Sequence, residues 1–254
     1  MAEPSGPFSL PASIKKMEVL DEVPERAMVV FAHPDDAEIG AGGTVARWAT
    51  AGCEIAYVLS TTGSSGSNDP SMTSERIARV RAEEQQAAAE AIGAKHVVML
   101  DHPDGMLEPD RVYLGEVVRA IRRFKPVTVL CHDPYRLKGF QHRDHRAVGI
   151  TTMDAVYPYA RDHLHFPEHI LEEGLEPHKV RDLLMWGADE PDVIVDISES
   201  IELKVAALMK HDSQVGGLVT DRDVGERVRT RSRELAEHYP FEHGEGFRRL
   251  TARR

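Results

Sequence analysis

Cysteine is almost missing from this chain: Cys53 and Cys131 are the only two among 254 residues. That scarcity excludes the disulfide framework on which small secreted domains rely. Each thiol sits in or beside an apolar, strand-like segment and reads as a buried small hydrophobe in a reduced compartment. Long hydrophobic runs are missing too. No stretch approaches the roughly 20 apolar residues of a membrane span. The first residues, Met1 to Leu20, lack the basic-then-apolar order of a signal peptide. A cytoplasmic location is the expectation. Nor is there an excess of positive charge: 31 basic against 42 acidic residues leave a formal charge of −11, which argues against nonspecific binding to nucleic acid. The arginines at the end, Arg248, Arg249, Arg253 and Arg254, are expected to form a solvated or salt-bridged tail.

What is present is a regular alternation. Residues 1–24 carry Pro4, Pro7, Pro11 and Pro24 and read as an extended lead-in. Residues 25–254 then read as one domain with no internal repeat or linker. Short apolar, β-rich runs stand at 27–32, 53–60, 96–100 and 127–131. Helical patterns fill 41–51, 74–92 and 110–124 between them. Thr73 or Ser74 caps the second helix and Gly93 ends it. A further helix is expected over 143–158, irregular chain over 159–182, short strands at 183–186 and 193–197, and helices from Ser198 or Ser200 to His211 and over 222–238. The fold class is α/β: a single-domain, Rossmann-like parallel sheet flanked by helices, with a C-terminal extension of mixed structure. The polar loop 60–70 follows a strand at the end where such sheets place their sites. It reads as a substrate rim or as a mobile surface loop.

The first chemistry-bearing segment is Ala32-His33-Pro34-Asp35-Asp36-Ala37-Glu38-Ile39-Gly40, directly after an apolar run. A turn brings His33 and Asp36 to one point, and Pro34 stiffens it. Two adjacent ionised carboxylates repel each other unless a cation lies close. A divalent metal removes that conflict and keeps Asp36 ionised, leaving Asp35 as a base for metal-bound water. Gly40, Gly42 and Gly43 do not have the G-x-G-x-x-G spacing of a dinucleotide site.

The second segment is Gln141-His142-Arg143-Asp144-His145, beyond the strand that ends at Cys131. His142 and His145 share a face at a helix start. One would bind metal while the other stays free as electrophile or acid, with Asp144 orienting an imidazole. Both segments follow strands of one parallel sheet and line the same edge. Three protein ligands with an open fourth position is the catalytic zinc pattern; two histidines and a carboxylate suit Fe2+ as well.

Ala32 to Gly40 matches an A-H-P-D-D-x-E signature, and His142 to His145 matches H-x-D-H. Arg81, Glu84, Ala87, Ala88, Ile92 and Gly93 resemble an R-x-x-E…A…L-G helix, and Asp104-Gly105-Met106 a D-G segment. On these motifs the chain resembles the PIG-L/LmbE family of zinc-dependent N-deacetylases over most of residues 25–250. The resemblance implies His33, Asp36 and His145 as zinc ligands, and Asp35 as general base. It implies His142 as oxyanion stabiliser with Asp144 orienting a histidine, and Arg81 and Asp104 as substrate contacts. The implied substrate is a small N-acetylated sugar conjugate of the N-acetylglucosamine type, cleaved to a primary amine and acetate. Homo-oligomers are implied too, since some bacterial members form hexamers. Two other functions stay open at this level. One is a metal-dependent amidase for another amide, such as a mercapturate-type thiol conjugate. The other is a non-catalytic metal protein closed by a fourth ligand, His132 or Asp133.

Overall fold

The apolar run after residue 25 is buried on both sides. Ala27, Val29 and Phe31 enter one core cluster, while Met28, Val30 and Ala32 enter another, the two-residue alternation of a strand. Because both faces are covered, the strand reads in sequence as an unbroken apolar stretch. The computed structural model describes residues 16–215 and 221–252. In chain order its elements are β1 (Glu18–Val19), β2 (Arg26–Phe31), α1 (Asp36–Thr50), β3 (Glu54–Thr61), α2 (Ser74–Ile92), β4 (His96–His102), α3 (Arg111–Phe124), β5 (Thr128–His132) and α4 (Arg143–Val156). A 3-10 turn (Tyr159–Arg161), α5 (Pro167–Leu171), β6 (Asp182–Trp186), β7 (Val193–Asp196), α6 (Ile201–Leu208), α7 (Asp212–Val215), α8 (Asp221–Ala236) and β8 (Gly244–Thr251) follow.

The strands form one sheet in the order β1-β7-β8-β6-β5-β2-β3-β4. β2, β3, β4, β5 and β6 pair in parallel. The chain steps outward from β2 to β4 and returns to β5 on the other side of β2, so β2 and β5 meet at a topological switch point. Ligands of open α/β sheets bind in the crevice beyond the strand ends at such a point. Helix α1 covers one face with α2 and α6, and α3 and α4 cover the other. Thr73 Oγ1 accepts the Arg76 N–H at 3.2 Å, and Gly93 closes α2 with φ 87°, as the sequence predicts.

Three features depart from the sequence expectation. Helix α1 begins at Asp36, five residues before the expected position 41, because Asp35 turns the chain sharply with φ 99°. The expected C-terminal extension instead supplies an interior strand: β8 lies antiparallel between β6 and β7. Its Arg248 is salt-bridged, one of the two expected states, and grips Asp133 at 2.6 and 2.8 Å from within the sheet. The irregular stretch 159–182 contains two short helical segments, gathered around Arg122. That fully buried guanidinium donates to the carbonyls of Tyr159, Ala160, Asp162, His165 and Phe166. Of the lead-in 1–24, residues 1–15 lie outside the described residues, and Glu18–Val19 pairs in parallel with β7. Arg253 and Arg254 also lie outside them.

Phe247 of β8 is fully buried in the core shared with Trp48 and Phe31. Phe247→Ala is therefore expected to destabilise the fold by about 3–5 kcal/mol, read as a lowered midpoint in urea. A loss below about 1 kcal/mol would mean that β8 is an attachment and not part of the sheet.

Candidate active site

Side chains from the ends of β2 and β5, and from the start of α4, converge above the switch point. His33 Nδ1 lies 3.2 Å from Asp36 Oδ2, and His145 Nε2 lies 3.2 Å from Asp36 Oδ1. His33 Nδ1 and His145 Nε2 are 3.3 Å apart. Three ligands bound tetrahedrally at about 2.0–2.1 Å stand about 3.3–3.4 Å from each other. The two Asp36 contacts end on different oxygens, so its carboxylate bridges the two histidines, and the chemistry of the three groups fits a divalent cation.

The charges around them point the same way. His33 Nε2 faces Asp104 Oδ1 at 3.1 Å and Asp144 Oδ2 at 3.2 Å. Burial opposes a charged His33, yet the carboxylates of Asp104, Asp144 and Asp36 outweigh it and raise its pKa to about 11. Burial also opposes ionisation of Asp36, but His132, His145 and His33 hold its carboxyl well below the usual range. In the metal-free protein this cluster answers its negative charge by protonating His33. A metal at Nδ1 would take the place of that proton and leave Nε2–H to the two carboxylates, the common support for a ligating histidine.

Asp35 is the strained member. A non-glycine residue at φ 99° costs on the order of 1–3 kcal/mol and persists only where its surroundings enforce it. The enforcement comes from α2. Gln85 Oε1 accepts the Asp35 N–H at 3.1 Å, and Arg81 donates to the Pro34 carbonyl at 2.6 Å and to Asp35 Oδ2 at 3.3 Å. Burial, then the adjacent Asp36 carboxylate, raise the Asp35 pKa to about 7, while Arg81 pulls against them.

His142 caps α4. Its Nδ1 accepts the Asp144 N–H at 3.2 Å, so the neutral ring carries its proton on Nε2. Burial and the neighbouring His33 charge lower its pKa. The side chain is half exposed and stands edge-on to His33, with ring centroids 4.5 Å apart.

A model of the family described as PIG-L: GlcNAc-PI de-N-acetylase matches residues 28–156, the span that holds both clusters. The chain belongs to the PIG-L family. It is 34% identical over 190 residues to diacetylchitobiose deacetylase of Thermococcus kodakarensis, covering 75% of this chain and 70% of that protein. It is 30% identical over 199 residues to a probable N-acetyl-alpha-D-glucosaminyl L-malate deacetylase 2 of Bacillus cereus, covering 76% and 86%. The fold superposes on N,N'-diacetylchitobiose deacetylase from Pyrococcus horikoshii with a TM-score of 0.81 and 28% identity, over 90% of this chain and 84% of that one.

This PIG-L family chain brings together all eight residues singled out in its sequence, in part with different neighbours. Arg81 and Asp104 both face inward. Arg81 holds Gly63 and Pro34 carbonyls and Asp35, and Asp104 holds His33 and the Ser65 N–H. Through these bonds the polar loop 60–70 is tied to the site. Asp144 supports His33 and accepts from Gly105 N–H, while its carboxylate stands 4.0 Å from His142.

Sequence reasoning named His132 only as a possible closing ligand and missed Gln85 and the partner of Glu38. His132 is fully desolvated, which lowers its pKa to about 4. It stacks on His145 with ring centroids 4.0 Å apart and stands 3.4 Å from Asp36 Oδ2. Its signal was its place at a strand end, shared with His33. Asp133, the other fourth-ligand candidate, turns away to Arg248. Gln85 bridges Asp35 to Glu38, and Glu38 meets His211 at 3.2 Å, both fully buried.

Asp35 in the metal-free protein is expected to titrate near 7, so that it is ionised above that pH and protonated below it. Arg81→Gln should move that value upward. Carbon-13 NMR of the Asp35 carboxyl measures both, and a titration near the ordinary aspartate value of about 4 would contradict the reading.

Proposed function

We propose that the protein is a metal-dependent N-deacetylase acting on an N-acetylglucosamine-type conjugate, with zinc as its resident ion. The observation that carries this reading is the convergence of His33, Asp36 and His145 within hydrogen-bond distance of each other, with a strained carboxyl of raised pKa beside it. The deacetylase names of the relatives give the bond type. A cation held by those three side chains would supply Lewis acidity at the acetyl carbonyl and make water easier to deprotonate.

The chain's own residues do the rest. Asp35 accepts the proton of the attacking water, a task suited to a carboxylate of pKa near 7. His142 donates Nε2–H to the oxygen that becomes negative. Its lowered pKa and its place at a helix N-terminus favour the neutral imidazole as that donor. The C–N bond then breaks, Asp35 returns its proton to the amine, and acetate leaves. Asp104 and Asp144 hold His33, while Arg81 and Gln85 keep Asp35 turned to the cleft. Arg81 and Asp104 would meet the sugar through whatever bonds their engaged groups still spare.

A cytoplasmic compartment and a homo-oligomer belong to the same proposal. No helix among the described residues is long and apolar enough to cross a membrane. Tyr135, Leu137 and Phe140 stand exposed on the loop before His142, which suits a contact with a second copy.

Primary-amine release from N-acetylglucosamine conjugates by the zinc-loaded protein is the direct test. Asp35→Asn is expected to lower kcat by about 10²–10⁴ with one zinc still bound per chain, and His145→Ala to lose the zinc. Near-normal turnover by Asp35→Asn would remove Asp35 as the base. Gln85→Met, which leaves the Asp35 N–H unpaired, should lower kcat by about tenfold or more with KM little changed and zinc retained. An equal loss in stability with no change in kcat would make Gln85 merely structural.

A further inference from the structure

Behind Asp35 runs a chain of buried polar side chains whose last members, Glu38 and His211, have no part in the proposed reaction. The Asp35 N–H donates to Gln85 Oε1 at 3.1 Å, Gln85 Nε2 donates to Glu38 Oε1 at 3.2 Å, and His211 Nε2 lies 3.2 Å from Glu38 Oε2. Gln85, Glu38 and His211 are all fully buried. A carboxylate offers only acceptors, so the imidazole carries a proton on Nε2 and the Gln85 amide turns its nitrogen to Glu38. The amide oxygen then faces Asp35. Turned over, the amide would set its NH2 against the Asp35 N–H, donor against donor, and its oxygen against the carboxylate. Polar groups shut away from water cost stability unless each is paired, and apolar side chains of like volume often pack as well as a buried ion pair or better. Yet this chain of bonds is kept, and it ends on the residue held at φ 99°, where the backbone needs an external hold.

We propose that His211 is a positioning residue for Asp35: it holds Glu38, Glu38 sets the Gln85 amide, and the amide fixes the backbone of the base. His211 stands between α6 and α7, and the residues after it are fastened on two sides. Ser213 donates its N–H and its hydroxyl to Glu84, the neighbour of Gln85 on α2, at 2.7 and 2.6 Å. Gln214 donates to the Gly66 carbonyl at 3.0 Å, on the same polar loop whose Gly63 carbonyl accepts from Arg81 at 3.0 Å. The segment that carries His211 is thus located by the helix that carries Gln85 and by the rim of the cleft. The kinetic consequence of this role rests on the deacetylase reading; the hold on the Asp35 N–H does not.

The test is a double-mutant cycle between His211→Phe and Gln85→Met in the zinc-loaded protein, assayed on the N-acetylglucosamine conjugate that it turns over fastest. His211→Phe is expected to lower kcat by about three- to tenfold, with KM little changed and one zinc per chain. In the Gln85→Met background the same change should cost no more than about twofold, because the bond it acts through is already gone. His211→Gln, whose amide can still donate to Glu38, should recover most of the loss. The amide proton signal of Asp35, read by nitrogen-15-edited NMR, should shift in His211→Phe and return in His211→Gln. Should His211→Phe not fold, Glu38→Met, which keeps the volume and removes the acceptor, takes its place in the cycle and in the NMR comparison. Unchanged kcat in His211→Phe, losses that simply multiply in the double variant, or no recovery in His211→Gln overturns the role and leaves the deacetylase standing. If the protein releases no amine from any such conjugate, the deacetylase reading falls and the Asp35 signal decides: an unmoved signal overturns the positioning role as well.

Discussion

Four aspartates gathered around one imidazole set the terms for the rest of this molecule. His33 is in contact with Asp36, Asp104 and Asp144, and Asp35 lies next to Asp36 in the chain. Negative charge at that density, shielded from water, is tolerated only if positive charge is supplied. The protein supplies part of it with His33 and Arg81, and His33, Asp36 and His145 are donors of the kind that a divalent metal takes. Burial first, and then the adjacent Asp36 carboxylate, push Asp35 toward neutrality.

The fold makes that arrangement attainable. A parallel sheet whose order reverses between β2 and β5 leaves a crevice at their ends. A strand end delivers His33, the first turn of α1 delivers Asp36, and α4 carries His145 on its first turn. The sharp turn at Asp35 lets α1 start at once, so that Asp36 and Glu38 occupy the helix's first turn, where its dipole favours acids. The strain at Asp35 is offset by Gln85 and Arg81 on α2, so the most precise part of the site depends on a helix that contributes no metal ligand. From the far side β8 and α6 reach into α1 through Glu245 and Lys204, the latter donating to the Ile39 carbonyl at 2.9 Å. The strand that seemed an appendage thereby braces the helix beside the site.

Much of this is visible in the residues alone, and the limits have physical causes. Strands buried on both faces announce themselves as short apolar runs, and α2 carries its own start and stop in Thr73 and Gly93. Both clusters stand out because adjacent acids and paired histidines have few other uses after a strand. β8 could not be read, because Gly244, Gly246, Arg248 and Arg249 interrupt any apolar pattern. The Arg248 charge makes sense only against Asp133, 115 residues away. The Glu38–His211 pair spans 173 residues, and no local pattern encodes such a meeting. The start of α1 was misplaced because it rests on a backbone conformation that aspartate rarely adopts. His132 was visible as a strand-end histidine, but its stacking on His145 belongs to tertiary structure.

The central claim is that a divalent cation replaces the proton with which the metal-free cluster balances its carboxylates. Calorimetric titration of the metal-free protein with Zn2+ at pH 7.5, repeated in buffers of different ionisation enthalpy, counts the protons released with each ion bound. One zinc per chain with about one or more protons released is the predicted result, since His33 must give up a proton held with a pKa of about 11. Zinc uptake without proton release, or no uptake at all, would contradict the account.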